Sequence, residues 1–494
     1  MKGKILLLAL MAASFLVPSA YAAPSFKQSG DKLTIREGVD DAILAQLKTG
    51  VNSANKSKLA LSVYKITDED LKKICAEAPG VVSLTIDSKL LTSIAPLADL
   101  KNLKKLSLIT EKVSDFTPLS GLTEIDDLYA SSDAMAPDLK WMSGMTKITK
   151  LVVSGGPNLT SLEGIPSLPN LRFARFSHAA AADLTPILAL PALTNLELTY
   201  CTLGDMSPLA KLANLSFLSL YGANVKDFSS LAGCAKLKTL MYYATKDADY
   251  STLGTLTQLE ELKGGLTKLN DISWVVNLPN LKKFDLFAEY VTDYSPLVKT
   301  NVQKMQIWNM NVPVDLKSLA GVTSLKELKL WSLKDVTGFE ALGTLTGLEQ
   351  LIFSSVNEKD GIIDLSFMKN LKNLKKVEFS SMNAVNTSAM EGLALSRIEG
   401  SKINLAGGKP FDLAFLAKMP DLQTLSINNA NISNLDAIAN APNLSSVTLT
   451  KVNGAPSLAP LQKMPMLKRL NISKGVYPDA EKSGFKDGVK INER

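Results

Sequence analysis

The chain has 494 residues, 46% of them hydrophobic, and 54 basic against 48 acidic residues give a formal charge of +6. That excess is mild for the length and argues against a nucleic-acid binder, which would carry a basic stripe. One histidine, His178, and three cysteines are too few for a zinc site.

Residues 1–22 read as a secretory signal peptide. Lys2 and Lys4 make a basic start, Ile5 to Val17 an apolar stretch too short to span a bilayer comfortably, and Ala20-Tyr21-Ala22 a small-x-small cleavage site. No later stretch is long and apolar enough to span. Cleavage removes two lysines and no acid, leaving 52 basic and 48 acidic residues, or +4. The mature chain is expected to be exported, to the periplasm or the medium, and soluble. Residues 23–58 read as an N-terminal cap, with a strand and then an amphipathic helix in "DKLTIREGVDDAILAQLKTG". A degenerate coil follows at Leu59.

From Val81 a six-residue pattern, Leu-x-x-Leu-x-Leu or a conservative variant, recurs 18 times, starting at Val81, Leu103, Ile125, Ile148, Leu171, Leu193, Leu215, Leu237, Leu259, Leu281, Val302, Leu325, Leu348, Leu374, Leu395, Leu422, Leu444 and Leu467. Of the 17 intervals, 13 are 22 or 23 residues, and this period is the mark of leucine-rich repeats. Counting the first apolar residue as position 1, positions 4 and 6 point to one side of a short strand and positions 3, 5 and 7 to the other. One apolar side of one strand makes no core, so each coil must stack on the next. The second half of many copies reads Asp-x-Ser/Thr-Pro-Leu-x-x-Leu, as in "DMSPLAKL" (205–212). Pro sets a turn or first helical position, and the Ser/Thr before it is expected to cap orphan amides. The expectation is an α/β solenoid spanning 59–472: a leucine-rich repeat horseshoe with a concave parallel sheet and short 3₁₀ or α turns on the convex side. Residues 473–494 would cap or fray its end. Extra residues around 356–363 and 405–411 are expected to loop out on one rim, beside the C-terminal part of the aromatic stripe described below.

The copies "NLKKLSLITEKVSDFTPLSGLTEI" (102–125) and "ALTNLELTYCTLGDMSPLAKLANL" (192–215) resemble the bacterial leucine-rich repeats of the internalin type. The resemblance covers roughly residues 59–472 and implies the fold, with a role in binding other molecules. No C-terminal cell-wall sorting motif and no domain after the repeats is evident, so that family's mode of surface attachment does not transfer.

Catalytic chemistry has little footing. His178 lies beside Ser177 at a strand end and reads as a surface residue, no Gly-rich phosphate loop opens a helix, and the repeat leaves no irregular domain for a deep cleft. Cys201 and Cys234 fall on different sides of neighbouring coils, and with Cys75 they read as small buried hydrophobes, not a disulfide framework. The expectation is no enzyme, no cofactor and no metal.

Position 7 is the last outward residue of each strand, on the concave face. It is mostly small and polar before copy seven (Asp87, Ile109, Ser131, Ser154, Ser177, Thr199) and after copy twelve (Ser354, Ser380, Ser401, Asn428, Thr450, Ser473). Between them it reads Tyr221, Tyr243, Gly265, Phe287, Trp308, Trp331, and Tyr200 at position 8 of the preceding copy extends the band. Two compatible readings stand: a cross-strand ladder of rings, and an exposed stripe that binds a partner. Lys263, Asp285, Gln306 and Lys329 at position 5 form a mixed polar rim. The reading is a monomeric binder of a protein or peptide. A glycan, which stacks on the same rings, is the runner-up. A passive envelope protein, with the stripe as assembly contact, is the third.

Overall fold

The computed structural model describes residues 24–55, 57–179, 183–243, 248–266, 268–287, 290–308, 312–356, 362–405, 410–454 and 457–494. The signal segment and most of the two insertions, 357–361 and 406–409, lie outside the described residues, and with them the expected common rim. The chain divides into two compact units, Met1–Ala192 and Leu193–Arg494.

The first unit opens with a hairpin. Strand Ser25–Ser29 folds back antiparallel on Lys32–Arg36, one strand more than the sequence led us to expect. The helix Asp41–Ser53 follows, with the Asp40 carboxylate accepting from the Ile43 amide at 2.8 Å, and it buries Ile43 and Leu47. Lys32–Arg36 then pairs in parallel with Ala60–Tyr64, the strand of the degenerate coil. That coil returns through the helix Asp68–Glu77, closed by a Thr67/Asp70 capping box. Five further strands add in parallel register, ending at Phe173–Ser177. Their position 4 and 6 side chains, such as Leu106 and Leu108, are shut off from solvent.

The second unit continues the same grammar from Asn195–Thr199. Strands Phe217–Tyr221, Thr239–Tyr243, Glu261–Gly265, Lys283–Phe287, Lys304–Trp308, Glu327–Trp331 and Gln350–Ser354 pair in parallel with no slip, position 3 against 3 and 7 against 7. Leu218, Leu240, Leu262, Leu328 and Leu330 point inward and are fully buried. Past residue 375 the strands lengthen, with Lys376–Val385 and Thr424–Ser433 running to 10 residues. They pass position 7 through a left-handed residue (Ser381, φ 54°; Asn429, φ 49°) and pair again beyond it, Met382 with Ile403 and Ala430 with Val452. The C-terminal segment adds one more parallel strand, Lys490–Glu493 on Arg469–Ile472.

Most strands return through a short 3₁₀ turn; Ser207–Lys211 and Ser295–Lys299 carry proline in the first turn and an inward leucine, Leu209 or Leu297. The capping differs from expectation. The hydroxyl ahead of the proline caps nothing; the aspartate two residues earlier accepts the Ser/Thr backbone amide, Asp205 from Ser207 at 2.8 Å, Asp183 from Thr185 at 2.7 Å, Asp293 from Ser295 at 2.8 Å. In the Asp115, Asp205 and Asp227 turns the hydroxyl donates to that same carboxylate. An aspartate turn of this kind fits the sharp corner better than a hydroxyl cap, because the carboxylate reaches two residues along its own chain. These hydroxyl bonds are the main reason that the Asp115, Asp183, Asp205 and Asp227 carboxyls sit below their ordinary 3.8. A lowered carboxyl stabilises the fold above its unfolded value, and the gain vanishes as pH falls through the folded value. The melting temperature should therefore be insensitive to these turns above about pH 5 and fall below 3.8, the ordinary carboxyl value. A melting curve flat through that acid range would disprove the role.

One turn carries an uncompensated polar group. Tyr294 is 3% exposed, and its hydroxyl has no hydrogen-bond partner among the described residues. Burial pushes its phenol far above the ordinary range. Phe116 and Phe228 fill the same slot in their copies and are also buried. Tyr294→Phe should therefore stabilise the fold by about 1 kcal/mol; chemical denaturation would show it, and a loss of stability would reveal a partner for the hydroxyl.

Candidate functional site

Parallel, in-register strands put like positions side by side, so position 7 of successive copies must form a row. In the second unit that row is aromatic and continuous. Tyr200 meets Tyr221 edge-on with ring centres 5.3 Å apart, and Tyr221 meets Tyr243 at 5.0 Å. Gly265 supplies no side chain, and Tyr243 reaches Phe287 across it at 6.2 Å. Phe287 packs on Trp308 at 4.3 Å, and Trp308 stacks on Trp331 at 6.3 Å. The rings shield one another: Tyr221, Tyr243, Phe287, Trp308 and Trp331 are half-buried, and only Tyr200 is well exposed, at 49%. The indole N–H of Trp331 is closed off from solvent with no partner among the described residues. The tryptophans are therefore less free than the sequence led us to expect.

Tyr200 reaches the row from position 8 by adopting a left-handed backbone, φ 52°, unusual for an aromatic residue. Its ring lies over Gly222, where a Cβ would come within 2.4 Å of the ring. The glycine after Tyr221 thus makes room for the tyrosine one copy before it.

Lys263, Asp285, Gln306 and Lys329 stand side by side in the next row, one pairing step apart. All ten residues singled out in the sequence thus share one face of the second unit's sheet. The sequence reading missed a third row on that face, Glu261, Lys283, Lys304 and Glu327 at position 3. Glu261 holds Lys263 and Lys283 at 2.6 and 2.7 Å, and Glu327 holds Lys329 and Lys304 at 2.7 and 3.1 Å. Burial raises both glutamates, but the lysine hydrogen bonds outweigh it and both lie below their ordinary value. Asp285 goes the other way. Burial raises its carboxyl, and the more distant fields of Lys283, Lys263 and Lys329 do not offset that. The missed row was legible: it occupies one repeat position, with a glutamate at each end and two lysines between them.

No other chemistry converges here. Among the described residues no three His, Cys, Asp or Glu side chains group as metal ligands would, and no helix is long and apolar enough to cross a membrane. Cys75, Cys201 and Cys234 are buried thiols outside any disulfide, and burial first of all pushes the Cys75 thiol up to about 12 and the Cys234 thiol to about 11. His178 is exposed at its strand end, with φ 57°.

No protein-family model matches the chain, and no curated protein matches it. Solved structures do. An internalin (inlF) of Listeria monocytogenes superposes with a TM-score of 0.51 at 22% identity, over 63% of this chain and 94% of that one. The fold is that of the internalin-type leucine-rich repeat proteins. A chain of the Drosophila Toll–Spatzle complex gives a TM-score of 0.55 at 12% identity, over 92% of this chain and 62% of that one. A Leptospira interrogans leucine-rich repeat protein aligns over 92% of both chains at 14% identity, with a TM-score of 0.39. The candidate surface on this fold is the aromatic face of the second unit.

Proposed function

We propose that this is an exported, non-enzymatic binding protein that recognises a protein or peptide on the outward face of the second unit's sheet, through the aromatic row from Tyr200 to Trp331. The observation that carries the reading is that row itself: six aromatic rings in unbroken contact across seven strands, on a face whose flanking copies carry small polar residues at the same position. Stability of the coils calls for apolar residues at positions 4 and 6, and position 7 is free to be polar, as most other copies show. At about 4.8 Å per strand the row spans roughly 29 Å, a length that suits a partner burying on the order of 800 Å² per side. Tyrosine and tryptophan are the residues most often found as interface hot spots. A chain that shares the fold was solved within the Toll–Spatzle complex. Export rests on the basic start, apolar stretch and small-x-small site of residues 1–22.

A photo-crosslinking residue in place of Phe287, with mass spectrometry of captured envelope and extracellular proteins, tests the partner class. A discrete protein adduct, lost when Trp308 and Trp331 are replaced, is the expected result. A glycan array that lights up while no protein is captured would replace the reading with carbohydrate binding. N-terminal sequencing of the secreted protein should begin at Ala23, and a mature protein that keeps Met1 would refute export through this signal.

A further inference from the structure

The aromatic face carries a belt of charge beside its rings, and the belt is not uniformly satisfied. All four lysines bend toward a glutamate: Lys263 and Lys283 to Glu261, Lys304 and Lys329 to Glu327. Those glutamates stand on the two outer strands of the four, so the ammonium groups are drawn outward into two clusters. Asp285 lies between them. It makes no ion pair or hydrogen bond with any described residue, although Lys283 is two residues away on its own strand and Lys263 is its direct neighbour across the sheet. The half-buried Phe287 lies beside it on the same strand, and Gln306 pairs directly opposite it, with Trp308 two residues beyond Gln306. A half-buried carboxylate without donors is costly, and it is a ready acceptor for a donor group brought by a ligand.

We infer that Asp285 is the seat for a basic side chain of the bound peptide, arginine by geometry, which lies on the Phe287 and Trp308 rings and forks to the Asp285 carboxylate. This rests on the peptide-binding reading above. A guanidinium matches the three features at once. It is planar, so it stacks on an aromatic face; it carries five donors, so it meets a carboxylate two at a time and spares one for the Gln306 amide oxygen; and it is weakly hydrated, so it enters a half-buried seat more readily than an ammonium. The lysines do not block it, because their ammonium groups are held on Glu261 and Glu327. Burial outweighs the lysine field at Asp285, so the carboxylate still lacks a close counter-charge.

The test uses a random displayed peptide library selected on the full-length protein. Enriched sequences should carry arginine or lysine among apolar residues. The tightest of them, made synthetically, should bind roughly ten-fold or more weakly to Asp285→Asn, and equally weakly to the unaltered protein once its arginine is replaced by citrulline. Both changes together should cost little more than either alone, because each removes the same contact. The citrulline arm needs no variant protein, so folding of Asp285→Asn does not decide the outcome. Enriched peptides that lose affinity on a Trp308→Ser/Trp331→Ser variant, yet carry no basic residue and ignore Asp285→Asn, would overturn the seat and leave the aromatic reading standing. Peptides indifferent to both variants, or no enrichment at all, would overturn both.

Discussion

Replacing Trp308 and Trp331 together with serine should weaken binding of the true partner by roughly 30-fold or more, as loss of hot-spot anchors does. Serine is the test residue because the next copies use it at this position, at Ser354 and Ser380. The fold should also suffer, more than the sequence alone suggests. Trp308 packs on Phe287 at 4.3 Å and stacks on Trp331 at 6.3 Å, and both contacts disappear. Aromatic pairs contribute about 0.5–1.5 kcal/mol each beyond their buried area, so a loss of about 1–3 kcal/mol is expected from the pairs alone. Release of the partnerless Trp331 indole N–H offsets part of it. Affinity and melting temperature must therefore be measured on the same preparation, well below the melting point. A folded variant that binds normally would reduce the row to a scaffold of rings.

How much of this was legible in the sequence depends on whether a feature repeats. The Leu218, Leu240 and Leu262 column was readable because three leucines 22 residues apart, each at position 4 of its copy, leave one way to stack. The aromatic row and the position 5 row were readable for the same reason, since register converts repeat position into spatial adjacency. Three things were not. The aspartate turns escaped because a Ser/Thr before proline fits a helix cap equally well on paper, and only the corner geometry gives the role to Asp205 and its equivalents. The hairpin at Ser25–Ser29 lies before the first coil, where no register constrains it. The shielding of Trp308 and Trp331 by their neighbours depends on ring orientation, and periodicity carries no information about that.

Two adjacent glycines in the gap of the row should give opposite results. Gly265 faces outward at position 7, and a Cβ built there would meet Tyr243 Cδ1 at 3.4 Å and the Phe287 Cβ at 3.7 Å, both ordinary contacts. Gly265→Ala should leave stability within about 0.5 kcal/mol, or raise it slightly by restricting the unfolded chain. Gly264, one residue earlier, is buried at φ 155°, opposite Tyr242 in the register. A Cβ there would fall 1.6 Å from the Tyr242 carbonyl oxygen, an atom of the neighbouring strand's backbone that cannot swing aside as a side chain would. Relief requires the strands Thr239–Tyr243 and Glu261–Gly265 to part, which breaks their ladder and pulls Tyr243 away from Phe287 in the row. Gly264→Ala should therefore cost about 4 kcal/mol or more, in the range reserved for a forced backbone conformation. Urea denaturation of the two single variants side by side is the measurement. Equal effects would mean that Gly264 is not held where the register places it, and that the gap in the aromatic row is set by something other than the backbone beneath it.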